Sequence, residues 1–264
     1  MNNKEVNILI TSGGTSEQID DVRKITNSST GSLGASIADA FKEKCKDSNI
    51  LYLCAESAIR PKSEDINIET ITGVLSLRNA VEKACEKTCF DIIIHCMAVS
   101  DYMVRSVTDS DFMAESILEN MSYTMCGDSS SPKEAIMDGI ENVPTMIENK
   151  ISSNKDNLIV VMEKSPKVIS MLRGLAKDAV IVGFKLLSEV EESDLINVGY
   201  MLLQKNDCDF VLANDLHTVK AGAHKGILID RDKNTTSAIG KREIAEMLAD
   251  ITLKKIEKRG NLNE

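Results

Sequence analysis

VNILITSGGTSEQIDDVRKITNSSTGSLG, residues 6–34, decides the fold. Val6 to Ser12 is a short, nearly continuous apolar run that ends in Gly13-Gly14, the pattern of a parallel strand buried on both faces and closed by a sharp turn. From Gly31 to Lys46 the apolar residues Leu33, Ile37, Phe41 and Cys45 recur every four positions, which places them on one face of a helix. Between strand and helix, Asn27-Ser28-Ser29-Thr30-Gly31-Ser32-Leu33-Gly34 sets hydroxyls and glycines at a helix start. There, free N–H groups and the dipole attract an anion. Ordinary capping by Ser29 or Thr30 is the competing reading, but one cap residue would suffice for that. Gly13-Gly14 lacks the third glycine of the dinucleotide fingerprint, and a plain turn explains the pair as well as a ligand does.

The same alternation continues outward. Strands are expected at Ile50 to Cys54, Phe90 to Ala98, Asn157 to Glu163, Val180 to Lys185 and Asp209 to Ala213. Helices are expected at about Gly73 to Lys87, after Pro166, and at about Val190 to Lys205. Gly226 to Asp230 and Thr235 to Ile239 read as extended, ahead of a C-terminal amphipathic helix. Strand–helix alternation predicts an α/β fold: a doubly wound, mostly parallel, Rossmann-like sheet with helices on both faces. Cys126 to Pro132 reads as a mobile loop. The expectation is a single domain over 1–264, with 105–149 and 220–239 as irregular or dimerisation segments forming a small extended subdomain.

Composition narrows the function. The formal charge of -10 argues against a nucleic-acid binder, and 3% aromatics without Trp argue against stacking platforms for single strands. No apolar run approaches the length of a membrane span, and no leader is evident at MNNKEVNILI. Seven scattered cysteines suit a reducing compartment, so a cytoplasmic location is expected. Backbone N–H groups and a few lysines still allow an acidic protein to hold phosphate.

In open parallel sheets, ligands bind beyond the carboxyl ends of the strands. Four exits carry small or polar residues: Thr11-Ser12-Gly13-Gly14-Thr15, Ala98-Val99-Ser100-Asp101, Gly183-Phe184-Lys185 and Ala213-Asn214-Asp215. They are expected to share one edge. Asp101 reads equally as a turn residue or as a ligand of Mg2+ on a nucleotide. Lys150, Lys164, Lys167 and Lys205 stand near loops or helix ends, where a solvated role competes with a phosphate contact. His95 lies in an apolar strand and reads as a satisfied core histidine, while Cys85 and Cys89 lack the partners of a zinc site. With no serine nucleophile elbow, an enzyme here would work by positioning and charge stabilisation.

In combination these motifs resemble the phosphopantothenate-cysteine ligases of coenzyme A synthesis. The segments that carry the likeness are ILITSGGTSEQIDDVRKITNSSTGSLG (8–34), HCMAVSDY (95–102), KISS (150–153), EKSPKVI (163–169), VGFKLL (182–187) and FVLAND (210–215). The chain looks like the stand-alone form without a flavin-containing decarboxylase domain. The resemblance implies that the 4′-phosphopantothenate carboxylate attacks the α-phosphate of a nucleoside triphosphate, and that the amine of L-cysteine then displaces the nucleotide monophosphate. It implies that Asn27 bonds the reacting acyl group and that Lys150 stabilises phosphate charge. Gly13, Gly14, Ser28, Ser29, Gly31 and Ala98 would hold the substrates, and Asp101 the Mg2+-nucleotide. Ser165, Pro166, Lys167, Val168, Phe184 and Lys205 would surround the nucleotide. A homodimer is implied, paired through the middle region and through Gly226 to Ile239.

The sequence departs from the family pattern at two points. Phe184-Lys185-Leu186-Leu187 is closer to the eukaryotic, ATP-using pattern than to the bacterial, CTP-using one; CTP is favoured, with ATP open. Met201 stands where the family has a second helix lysine. Two other classes compete. A nicotinamide-dependent reductase would need a different glycine turn, for which Glu56 after the second strand is the one opening. A non-catalytic nucleotide sensor would release no pyrophosphate.

Overall fold

The computed structural model describes residues 5–125, 131–145, 151, 157–217 and 224–261. In chain order, β1 (Asn7–Ser12) leads to the short strands β2 (Ser16–Gln18) and β3 (Lys24–Thr26), then to α1 (Ser32–Lys44). Next come β4 (Asn49–Ala55), β5 (Asn67–Ile71), α2 (Val74–Lys87) and β6 (Ile92–His95). A middle stretch holds β7 (Tyr102–Asp109), α3 (Ser110–Met125), α4 (Pro132–Glu141) and β8 (Leu158–Lys164). The last part is α5 (Val168–Leu175), β9 (Val180–Leu187), α6 (Glu192–Lys205), β10 (Phe210–Asp215), β11 (Lys225–Asp230), β12 (Thr235–Ile239) and α7 (Lys241–Asn261).

The chain divides into two compact units. The first comprises Met1–Thr15, Asn27–Val99 and Lys167–Glu264; the second comprises Ser16–Thr26 and Ser100–Pro166. Eight strands of the first unit form one sheet in the order β12-β11-β10-β9-β6-β1-β4-β5. The pairs from β10 through β5 are parallel. The pairs β10–β11 and β11–β12 are antiparallel. This is the doubly wound sheet expected from the alternation, and its apolar runs show why it forms. Ile8, Ile10, Ile92, Ile94, Val180 and Val182 face α1 and α7, where Ile37, Phe41, Ile244 and Leu248 meet them. Their neighbours Leu9, Ile93, Ile181 and Val211 face the opposite way, against Leu77 and Val81 of α2, Leu172 of α5 and Leu203 of α6. Each such side chain contributes ~2 kcal/mol on burial, so a strand covered on both faces is held about twice over.

The second unit is built from two antiparallel pairs, β2–β3 and β7–β8, with α3 and α4. Here the structure corrects several expectations. LIVVMEK in β8 reads like a core strand, yet it pairs with β7 outside the main sheet and is at most half-buried. The stretch 105–149 carries most of a strand and two helices among its described residues, not an irregular connection. Pro132 opens α4 behind a capping box of Ser131 and Glu134, while residues 126–130 of the expected loop lie outside the described residues. Residues 225–239 are not outside the main sheet: β11 and β12 finish its edge. Strands β2, β3, β5 and β7 were not expected. The reason is visible in NIETI of β5, a polar edge strand with only Ile71 buried.

At the amino edge of the main sheet one carboxylate organises three elements. Asp209, 1% exposed, accepts the Ile181 N–H at 3.0 Å and an Arg173 N–H at 2.8 Å on one oxygen. Its other oxygen takes Arg259 at 2.8 Å and Lys255 at 3.3 Å. Burial raises the Asp209 carboxyl, but the backbone N–H of Ile181, Lys255 and the two arginines outweigh it and hold the group below its ordinary value. The end of α5, the start of β9 and the end of α7 are thereby tied together. Among the described residues no helix is long and apolar enough to cross a membrane.

Removing a partner from a buried charge network leaves the remaining charges uncompensated, which costs about 3 to 5 kcal/mol. Asp209→Ala is therefore expected to lower the free energy of urea unfolding by about that much. An unchanged urea midpoint would show that Asp209 does not organise this edge.

Candidate functional site at the sheet switch point

The chain leaves β1 to build β4 and β5 on one side of it, then returns through α2 to place β6 on the other. Strand order therefore reverses between β1 and β6, the kind of switch point beyond whose strand ends α/β sheets hold ligands in a crevice. The ladder sets the exits level. Thr11 pairs with His95, and His95 with Gly183. Phe184 pairs with Leu212, and Asn214 with Leu186. The exits at Gly13, Ala98, Phe184 and Asn214 thus share the carboxyl edge, as expected.

Beyond the ladder the two loops remain stitched together. Gly14 bridges Ala98, the Ala98 N–H donates to the Gly13 carbonyl at 2.8 Å, and the Thr15 N–H donates to the Ala98 carbonyl at 3.2 Å. The Asn27 N–H donates to the Thr15 carbonyl at 3.1 Å. Asn27 is thereby laid directly over Gly14. A Cβ on Gly14 would fall 2.0 Å from the Asn27 carbonyl oxygen, so only glycine allows this approach.

The helix start answers the capping question. The residue before α1 is Gly31 at φ 72°, in the left-handed region, which has no side chain with which to cap the helix. Its carbonyl accepts the Ser12 hydroxyl at 3.0 Å, which fastens the helix start to the end of β1. Ser28 is exposed and Ser29 half-buried, and neither caps α1. Thr30 Oγ1 accepts the Ser32 N–H at 3.4 Å, as the capping reading expects, and the Gly34 N–H is directed at Cys96. The α1 dipole still makes this end positive.

Below this surface, Thr11 Oγ1 lies 2.9 Å from His95 Nδ1 and accepts the Met97 N–H at 3.4 Å. Burial lowers the His95 pKa to about 4, so the ring is neutral and structural at ordinary pH. At the far end of the edge, Asn214 Nδ2 is 2.5 Å from Nε2 of the buried His224. Asp215 accepts the N–H groups of Glu189, Val190 and His217, which hold its carboxyl below the ordinary value and shape the entry to α6. Burial pushes the Cys96 thiol up to about 12, so it offers no thiolate at this edge.

The other expected residues fall as follows. Residues 176–179 link the end of α5 to β9, so the first turn of α5, with exposed Lys167 and buried Val168, opens toward the carboxyl edge. Phe184 is half-buried against the α1-side core. Lys205 stands apart from these. It ends α6, and β10 begins at Phe210, so it lies at the amino edge, the opposite end of the sheet from the crevice. Exposed Met201 is one turn earlier in the same helix. In the second unit Asp101 is exposed, the Ser165 N–H donates to the Asp101 carbonyl at 3.0 Å, and the Ser165 hydroxyl donates to the Ser100 carbonyl. Pro166 is half-buried beside it. Lys150 lies outside the described residues. Sequence reasoning missed Asp20 and Arg23 in that unit. The buried Asp20 carboxylate takes Arg23 at 2.6 Å and the Ile151 N–H at 3.2 Å, and the Arg23 bond holds it well below the usual carboxylate range. An Asp followed three residues later by Arg in a polar turn was the available signal. Among the described residues no group of three or more His, Cys, Asp or Glu could hold a metal ion.

Comparison with known proteins agrees with this fold. The family described as the DNA/pantothenate metabolism flavoprotein C-terminal domain matches residues 3–124 and 142–256. The coenzyme A biosynthesis bifunctional protein CoaBC of Methanocaldococcus jannaschii is 31% identical over 209 residues, 79% of this chain and 40% of that protein. The chain thus spans less than half the length of that relative. The DNA/pantothenate metabolism flavoprotein from Streptococcus pneumoniae superposes with a TM-score of 0.75 at 31% identity, over 96% of this chain and 99% of that one. A Cab2 mutant in complex with phosphopantothenate-cysteine shares the fold, with a TM-score of 0.67 at 18% identity over 96% and 87% of the two chains.

The neutral His95 has a consequence in pH. Its folded-state pKa of about 4 lies below the ordinary 6.5, so the unfolded chain takes up the proton first. Stability held above pH 6.5 is lost as the pH falls toward 4, by about 3 kcal/mol at about 1.4 kcal/mol per unit. His224, lowered by burial and by Lys241, adds in the same direction. Urea unfolding between pH 4 and 7 is expected to show a shallower fall for His95→Gln than for the parent. Identical slopes would mean that His95 titrates normally.

Proposed function

The chain belongs to the DNA/pantothenate metabolism flavoprotein C-terminal domain family, and from that premise we propose that it is a ligase joining 4′-phosphopantothenate to L-cysteine. A nucleoside triphosphate drives the reaction, CTP by preference with ATP as the alternative. The observation that carries this reading is the start of α1, led by Gly31 and fastened to β1 at Ser12, at the carboxyl edge of the sheet. It offers a positive dipole end to an anion, and no nucleophile.

In the first step a carboxylate oxygen of phosphopantothenate attacks the α-phosphorus, and the bond to the bridging oxygen breaks with release of pyrophosphate. In the second, the cysteine amine attacks the acyl carbon, the nucleotide monophosphate leaves, and the amine loses a proton. Both steps gather negative charge on oxygen, which preorganised donors stabilise. The Asn27 amide serves the acyl carbonyl. Gly13, Gly14, Ser28, Ser29, Gly31 and Ala98 shape the cradle for the substrates, and Lys150 meets the charge on the phosphates. Lys167, Val168 and Phe184, with Ser165 and Pro166, attend the nucleotide. Lys205 is left out of this assignment, because the amino edge is a sheet's length away.

Mg2+ on a nucleotide needs only one or two carboxylates besides the phosphates, so the single exposed Asp101 fits that donor set. When bound, the ion would neutralise triphosphate charge. We also propose a homodimer, since exposed Phe112, Leu118 and Met137 on α3 and α4 and the open edge at β12 leave surface to cover. The six described thiols are unpaired, in line with a cytoplasmic setting.

Phosphopantothenate and nucleoside triphosphate together, without cysteine, are expected to release pyrophosphate; no release with either CTP or ATP would overturn the ligase reading. Asn27→Ala is expected to slow amide formation about a hundredfold while the thermal unfolding midpoint holds. Asn27→Asp, which brings a negative charge near the phosphates, is expected to be slower still. Normal amide formation per folded Asn27→Ala molecule would remove Asn27 from the chemistry.

A further inference from the structure

The amino edge of the main sheet carries a second concentration of charge, at the end opposite the crevice. A cavity of about 430 Å³ opens there around the Asp209 network. Arg173, Lys177, Arg231, Lys255 and Arg259 line it, with Asp207 and Asp209 as the only carboxylates. Five cations against two carboxylates leave an excess of three positive charges, in a chain whose formal charge is -10.

The donors of this group are unequally engaged. Arg173 is spent on structure: it donates to the main-chain carbonyls of Lys177, Ala179 and Asp207 and to the Asp209 carboxylate. Arg259 likewise binds the Asp178 carbonyl and Asp209. These two act as fixed positive charge. Arg231 spends one terminal nitrogen on Asp207, meeting its carboxylate at 2.8 Å and its main-chain carbonyl at 3.1 Å, while its Nε is 3.8 Å from Asp209, beyond hydrogen-bond reach. Lys255 lies 3.3 Å from an Asp209 oxygen that Arg259 already occupies. Lys177 is exposed, and its ammonium has no carboxylate partner among the described residues. Three cations therefore keep donors to spare around a concave wall, which focuses the positive field.

We propose that this cavity is a binding site for a diphosphate-class anion, separate from the crevice at the carboxyl edge. An excess of three charges calls for a multiply charged ligand, and the volume accommodates two linked phosphates. Arg231 offers the N–H groups that Asp207 leaves unused, and Lys177 and Lys255 offer point charges. The eight residues of β9 separate the two ends by ~25 Å at about 3.3 Å per residue, so one ligand does not fill both. The inference does not depend on which reaction the crevice performs.

The test is calorimetric titration of the full chain with inorganic pyrophosphate at fixed ionic strength. The crevice is first filled with saturating phosphopantothenate and nucleoside monophosphate, neither of which carries linked phosphates. One pyrophosphate per chain is expected to bind. Lys177→Glu, at an exposed residue without a structural partner, is expected to weaken it at least tenfold and to leave pyrophosphate release in the ligase assay unchanged. Lys177→Arg is expected to retain binding. No binding to the parent, or equal binding to Lys177→Glu, would overturn the proposal. So would an equally tight response to chloride, which would mark the cavity as a general salt sink.

Discussion

The first unit depends on one close approach of backbone to backbone, where Asn27 crosses Gly14 with no room for a Cβ between them. That contact sets where the chain re-enters after the β2–β3 excursion. From there Gly31, held to Ser12, starts α1 directly above the exit of β1. The apolar sheet could form without it, because the core is secured by aliphatic residues on both faces. The crevice could not. Overpacking at such a point costs about 1 to 3 kcal/mol, and the displacement it forces falls on the residues that would touch a ligand.

The two ends of the sheet use polar groups in opposite ways. At the carboxyl edge they are spread over backbone N–H groups, hydroxyls and a helix start, with the buried His95 neutral beneath them. At the amino edge, charge is concentrated on Asp209 and the cations around it. The first arrangement suits a chemistry in which charge appears and moves on a substrate. The second holds three elements in register and leaves positive charge over. On these proposals an acidic protein has two places that take phosphate, built by different means.

The main sheet was legible in the sequence because strands buried on both faces leave continuous apolar runs such as NILITS and IIIH. The level exits followed from the parallel order. What was not legible was where a strand would pair. LIVVMEK of β8 has the composition of a core strand, and only its ladder with β7 sets it outside the sheet. NIETI of β5 has too little apolar content to be seen. The Asn27 to Gly34 segment was readable from composition as a helix start, but Gly31 in the left-handed conformation as the residue before the helix was not. Lys205 shows the limit of motif reasoning. A lysine at the end of a helix that precedes a parallel strand must lie at the amino edge, and the alternation of elements already contained that information.

On our proposal, ligand chemistry belongs to the carboxyl edge at the β1–β6 switch point. Hydrogen exchange of the full chain, with and without phosphopantothenate and a non-hydrolysable nucleoside triphosphate, tests it most directly. Protection is expected in residues 12–15, 27–34, 96–98 and 183–186. Unchanged exchange in residues 27–34 would contradict that placement.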